Sequence, residues 1–170
     1  GIIISGSNPS ASTQTMSGVI KFFKELKLRE LSFSTFIYGG HPTVLPERTL
    51  YETLADFVII GEGYETISTL LSNIISNDSV HDIQGLAYIK EDLLGNKTTI
   101  IKPMSEMVDV DELPMINWEK FDPKLYRAHN WHCFGEDSIE KRSPYGIIWT
   151  SMGCAYPCDF CCINNLYSKR

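Results

Sequence analysis

The sequence predicts an α/β fold built on a parallel sheet, with a small antiparallel hairpin after it and a cysteine-bearing region at the end. Three observations carry this reading. Short apolar runs alternate with segments of helical periodicity up to residue 75, glycines follow each apolar run, and strand-turn-strand patterning takes over beyond residue 78.

The elements follow in order. Ile2, Ile3 and Ile4 read as a buried strand. Residues 10–27 predict a helix whose Met16, Ile20, Phe23 and Leu26 recur at helical spacing and face the sheet. Residues 31–38 predict the next strand, stopped by Gly39 and Gly40. Pro46 suits the first turn of a helix, where its missing N–H costs nothing, and that helix carries Leu50 and Leu54. Residues 57–60 predict a third strand, ended by Gly61, Glu62 and Gly63. The helix over 65–75 has Ile67, Leu70, Leu71 and Ile74 as its apolar stripe. Residues 86–90 and 97–101 flank Gly95 and Asn96 as a hairpin, and the acidic, proline-bearing stretch 103–122 reads as a linker. A last apolar run, Tyr145 to Trp149, predicts a buried strand leading into the cysteines.

Composition narrows the function. A chain of 170 residues, 43% hydrophobic and 21% charged, is long enough for one or two cored domains. Its net charge of -6 and the lack of a Lys/Arg run argue against nucleic acid as a partner. No stretch approaches the roughly 20 apolar residues of a membrane helix, so the expectation is a cytoplasmic protein without a membrane partner. The start at Gly1 and the stop shortly after the last cysteine suggest a piece of a longer protein.

Four of the five cysteines, Cys154, Cys158, Cys161 and Cys162, crowd into the last stretch, with Cys133 upstream. A disulfide framework spreads its cysteines, so crowding points to metal or cluster ligation. Spacings of three residues and then two let one loop curl around an iron-sulfur cube, with Cys154, Cys158 and Cys161 as ligands and one iron left open. Zinc is the competing ligand, using these thiols with His132, although adjacent Cys161 and Cys162 chelate one ion awkwardly. Cys162 and Cys133 read as ordinary thiols, and His129 and His132 as packing or surface histidines.

A strand followed by Cys154-Ala155-Tyr156-Pro157-Cys158-Asp159-Phe160-Cys161 resembles the radical S-adenosyl-L-methionine (SAM) superfamily. The resemblance implies a 4Fe-4S cluster on the three cysteines, SAM on the open iron, and Phe160 against its adenine. It places the loop after the first strand of a partial (β/α) TIM-type barrel, whose sites lie at the C-terminal strand ends.

Ser5-Gly6-Ser7, Gly39-Gly40-His41 and Gly61-Glu62-Gly63 each follow a predicted strand and together describe one rim, where ligands of open α/β sheets bind. A dinucleotide is disfavoured because no Gly-x-Gly-x-x-Gly joins a strand to a helix. The order of Ile-Ser-Gly, Tyr-Gly-Gly-His-Pro-Thr, Asp-Phe-Val-Ile-Ile-Gly-Glu-Gly and Ile-Gln-Gly-Leu-Ala-Tyr resembles the Rossmann-like cobalamin (B12)-binding domain of one large radical SAM class. That implies cobalamin contacts at Ser5, Gly39 and Gly40, with Glu62 and Gly63 on the same rim. Tyr64 stands where many members have Glu, and the Asp-x-His-x-x-Gly segment of classical cobalamin domains is absent. His41 reads as a loop residue ahead of Pro46 rather than an axial ligand, Asp109 to Glu112 as an acidic linker face, and Trp118, Trp131 and Trp149 as packing residues.

The expected organisation is a cobalamin-binding domain over 1–78, a hairpin and linker over 79–122, and the start of a radical SAM domain over 123–170. The resemblance implies a cobalamin-dependent radical SAM enzyme, methylating an unactivated carbon of a small-molecule or natural-product substrate. It also implies an electron donor such as flavodoxin or ferredoxin. Two alternatives are a radical SAM enzyme whose first domain is a cofactor-free scaffold, and a non-catalytic zinc module.

Overall fold

The computed structural model describes residues 11–29, 32–120, 122–127, 138–146, 148, 151–161 and 163–167. The expected strand at residues 2–4, Ser5, His129, Trp131, His132, Cys133, Trp149 and Cys162 lie outside them. Residues up to 108 and from 153 onward form one compact unit, and 109–152 a second.

The first unit is α/β. Its elements run α1 (Ala11–Leu28), β1 (Phe36–Tyr38), α2 (Gly40–Val44), α3 (Pro46–Thr53), β2 (Phe57–Ile59), α4 (Tyr64–Ser76), β3 (Leu86–Glu91), β4 (Lys97–Ile101) and α5 (Ile163–Tyr167). The sheet has the order β1-β2-β3-β4, with β1 and β2 parallel in the register Phe36 to Phe57, and β2-β3 and β3-β4 antiparallel. The strand of 31–38 shortens to three residues that pair with β2.

Two-residue alternation sorts the strand side chains onto two faces. Ile59, Leu86 and Tyr88, with Phe36, Phe57 and Ile100, pack with Leu70 and Ile67 of α4. Val58, Ile60 and Ala87 pack with Leu50 of α3, and Ile37 with Met16, Val19 and Phe23 of α1. Leu50, Val58, Ile59, Leu70 and Leu86 are fully buried, each removal from water stabilising the fold by about 1.5–3 kcal/mol.

Asp56 fastens the opposite end of the strands. Its carboxylate accepts from the Thr35 amide (2.7 Å) and hydroxyl (2.6 Å) and pairs with Lys27 of α1 at 2.9 Å. Burial alone would raise its pKa, but these hydrogen bonds outweigh it and hold the carboxyl below the ordinary range.

Several expectations need correction. Leu54, expected within the helix, lies just past α3 as its left-handed C-cap (φ 61°) and is half exposed, and the buried face is Thr49, Leu50 and Thr53. Thr49 and Thr53 fit there because their hydroxyls donate to the Leu45 and Thr49 carbonyls at 2.8 and 2.6 Å. In α4, Thr66 and Leu70 are buried while Leu71 and Ile74 are exposed, so the stripe is narrower than the apolar periodicity suggests. The hairpin loop is longer than Gly95-Asn96: Asp92 accepts from the Leu94 and Asn96 amides, both at 2.8 Å, and closes a five-residue loop.

In the second unit, the predicted strand over 145–149 is not seen at Tyr145, Gly146 or Ile148, and Ile148 is exposed. The Tyr145 amide donates to the Tyr126 carbonyl (3.1 Å) beside an isolated bridge between Arg127 and Pro144, so among the described residues of this run the pairing does not extend into a ladder. The Trp118 ring lies 3.6 Å from the point a Gly146 Cβ would occupy and is itself 43% exposed. The acidic run forms a short 3-10 turn, Val110–Glu112, with the Asp109 carboxylate accepting from the Asp111 amide at 3.0 Å.

One glycine joins most of the first unit. Gly85 (φ 74°) accepts from the Ile60 amide at 2.7 Å and donates to the Pro103 carbonyl at 2.6 Å. A Cβ there would stand 2.3 Å from the Thr66 hydroxyl oxygen. Gly85→Ala is expected to lose about 2–4 kcal/mol in urea unfolding, from a left-handed backbone and a forced contact. Adding Thr66→Ala should recover part of it; strictly additive losses would show that the Thr66 contact is not the cause.

Candidate functional site

The C-terminal ends of β1 and β2 lie side by side because the two strands are parallel. Gly39 follows β1 with φ 132°, a conformation side chains rarely adopt, and a Cβ built there meets nothing within 4 Å. Gly40 opens α2 directly after it. Among the described residues, the ground beside Gly39 is open.

The second corner is different. Gly61 (φ 82°) and Gly63 (φ 77°) are glycines because the protein itself fills the space. A Cβ on Gly61 would sit 2.3 Å from the Met104 sulfur and 3.5 Å from the Leu166 carbonyl oxygen. One on Gly63 would sit 2.8 Å from Ile59 Cγ2 and 3.2 Å from Tyr38 Cδ2. Between them Glu62 is only 3% exposed, and its Oε1 accepts from the Val108 amide at 2.6 Å. The Gly61 amide donates to Thr43 Oγ1 of α2 at 3.1 Å, tying this corner to the first. The chain after β4, residues 103–108, is therefore a strap across the strand ends, with Ser105 accepting from the Thr66 hydroxyl at 3.2 Å.

Three phenols that the sequence reading did not assign converge here. Tyr38 ends β1, Tyr64 starts α4 and Tyr167 ends α5. Burial, then the neighbouring Tyr167, Tyr64 and Glu62, push the Tyr38 phenol up to about 12. Burial, then Tyr64 and Glu62, raise Tyr167 as well. The signal was adjacency: Tyr38 directly precedes Gly39, and Tyr64 directly follows Gly63. His41 lies in α2 rather than in a loop. Its Nε2 is buried with no hydrogen-bond partner among the described residues, and burial followed by the Arg48 charge lowers its pKa, so it is chiefly neutral near pH 7.

The cysteine loop begins at Gly153, φ 81°. The Cys161 amide donates to the Cys158 carbonyl at 3.0 Å, closing a tight turn over Asp159 and Phe160 that fixes the relation of two thiols. Asn164 Nδ2 donates to the Tyr156 carbonyl at 2.8 Å and braces the stretch between Cys154 and Cys158. Cys154 and Cys161 are half-buried, Cys158 is exposed, and all three are free thiols. Phe160 is 94% exposed. Among the described residues no three His, Cys, Asp or Glu side chains stand close enough together to hold a metal ion. The donor chemistry nonetheless fits an iron-sulfur cluster: three sulfur donors on one short loop, two of them at the ends of one turn.

The structure thus brings Gly39, Gly40, Glu62 and Gly63 to one rim, and puts Cys154, Cys158, Cys161 and Phe160 in the same compact unit. Among the described residues no helix is long and apolar enough to cross a membrane.

No family model and no solved structure matches this chain. It is similar to an uncharacterized methyltransferase of Pyrococcus horikoshii, 26% identical over 93% of this chain and 32% of the relative. It is also similar to the anaerobic magnesium-protoporphyrin IX monomethyl ester cyclase of Synechocystis, 23% identical over 94% of the chain and 29% of the relative. A third relative is the cytidylyl-2-hydroxyethylphosphonate methyltransferase of Streptomyces wedmorensis, 26% identical over 80% of the chain and 28% of the relative. The chain is a distant relative of methyltransferases and a cyclase, and spans about a third of their length.

The phenol cluster gives a pH dependence. Above pH 10, the ordinary phenol value, the unfolded chain releases the Tyr38 proton while the folded chain keeps it until about 12. Stability is therefore fully present below 10 and declines as pH rises through that window. Tyr38→Phe is expected to flatten the decline, read as the urea midpoint at stepped alkaline pH. An unchanged slope would rule out Tyr38 as its source.

Proposed function

We propose that this chain is part of a radical SAM enzyme of the cobalamin-dependent kind, most naturally a methyltransferase. The observation that carries the reading is the Cys154-Cys158-Cys161 loop, whose three free thiols lie in one compact unit with a glycine rim at the ends of parallel strands. Two of the three relatives above are methyltransferases by name, which supports methyl transfer over cyclisation as the outcome.

When bound, a 4Fe-4S cluster supplies the electron that cleaves SAM to a 5'-deoxyadenosyl radical, and cobalamin supplies a methyl carrier. Cys154, Cys158 and Cys161 are the thiolates that would hold the cluster. Phe160, exposed between two of them, offers its ring face to the adenine. Gly39 and Gly40 would offer backbone without side chains to the cobalamin, and a Cβ at Gly39 meets nothing within 4 Å among the described residues. Glu62 and Gly63 shape that rim from beneath, one holding the strap and the other admitting Tyr38. A small-molecule substrate and a one-electron donor complete the reading.

A second reading is favoured by one observation: Gly61 and Gly63 are packed by the protein's own atoms. In that reading the α/β unit is a scaffold without cobalamin, and the cysteines alone carry the cofactor.

Anaerobic reconstitution tests both. About four iron and four acid-labile sulfide per chain are expected, falling to background when Cys154, Cys158 or Cys161 is replaced by Ala. Zinc retained without sulfide would refute the proposal. Hydroxocobalamin that co-elutes with wild type and is lost in Gly39→Val supports the first reading; a cluster without cobalamin retention supports the scaffold.

A further inference from the structure

The cysteine loop and the strand-end rim meet through one short element, α5. At its start, Asn164 Nδ2 donates to the Tyr156 carbonyl at 2.8 Å, inside the loop and between the first two cysteines. At its end, the Leu166 carbonyl oxygen lies 3.5 Å from the point a Gly61 Cβ would occupy. Its flank packs on α2, the helix that opens at Gly40. Each end of α5 is thus fixed to a different half of the site.

A loop such as 153–161, with no regular secondary structure, keeps its shape through tethers. The turn from Cys158 to Cys161 fixes two thiols relative to each other. It does not fix them relative to Cys154 or to the rim, and α5 does both.

We propose that Asn164 is a positioning residue that holds the cysteine loop in register on the strand-end rim, acting through α5, whose far end lies against Gly61 and whose flank packs on α2. The inference builds on the proposed cluster site, but the clamp belongs to the protein without any cluster.

The test is alkylation of the iron-free, full-length protein with iodoacetamide, followed cysteine by cysteine by mass spectrometry, with Cys133 as internal comparison. Asn164→Ala is expected to raise the labelling rates of half-buried Cys154 and Cys161 by about fivefold, the effect of one net hydrogen bond on a local opening equilibrium. Asn164→Asp, which keeps the size of the side chain but removes the Nδ2 donor, should label like the alanine variant. Unchanged rates in both variants, or an equal rise at Cys133, would overturn the clamp. Wild type that takes up no sulfide on reconstitution removes the cluster reading and leaves the labelling result standing, so the two ideas fail separately.

Discussion

The peptide units of Gly85 hold the first unit together. The Gly85 carbonyl extends the pairing of β2 with β3 by accepting from Ile60, and its amide captures Pro103 as the chain leaves β4. From that anchor the strap lays Ser105 beside Thr66, Met104 against Gly61 and the Val108 amide on the Glu62 carboxylate. A side chain at 85 would push Thr66 away, and with it α4, whose first residues form one side of the rim. Backbone conformation at one position, rather than apolar area, therefore decides whether the strand ends keep their arrangement.

That arrangement leaves a rim with two unlike corners. At Gly39 the surface is open; at Gly61 to Gly63 it is closed by Met104, Ile59 and Tyr38. The first corner presents bare backbone, with phenols at its border. Phenols are protonated at neutral pH, and burial and mutual proximity extend that state of Tyr38 and Tyr167 further into the alkaline range, so this border offers hydroxyl groups rather than negative charge beside buried Glu62. Such groups both donate and accept hydrogen bonds, as recognition of an amide-rich or hydroxyl-rich ligand needs.

Much of this was legible in the sequence, for identifiable reasons. Strands β1 and β2 announce themselves as apolar runs closed by glycine, and β3-β4 as two runs around a turn, because these patterns follow from strand geometry alone. The cysteine loop is legible because ligand spacing is a local property. Thr49, Thr53 and Thr66 were missed as core residues since apolar periodicity is blind to hydroxyls that bond to nearby carbonyls. Leu54 was misplaced because nothing local marks a leucine as a left-handed cap. The approach of Tyr167 to Tyr38 joins residues more than a hundred positions apart, and no local pattern encodes it.

The first unit is assembled from two stretches of chain, with 109–152 between them. During synthesis the sheet, the strap and most of the rim emerge before the cysteines, and domains generally fold as they appear. Closing so long an intervening segment costs little more than closing a short one, since loop entropy grows only with the logarithm of length. The order of the chain therefore allows the rim to form before these thiols are made, at little entropic cost to the loop that joins it afterwards.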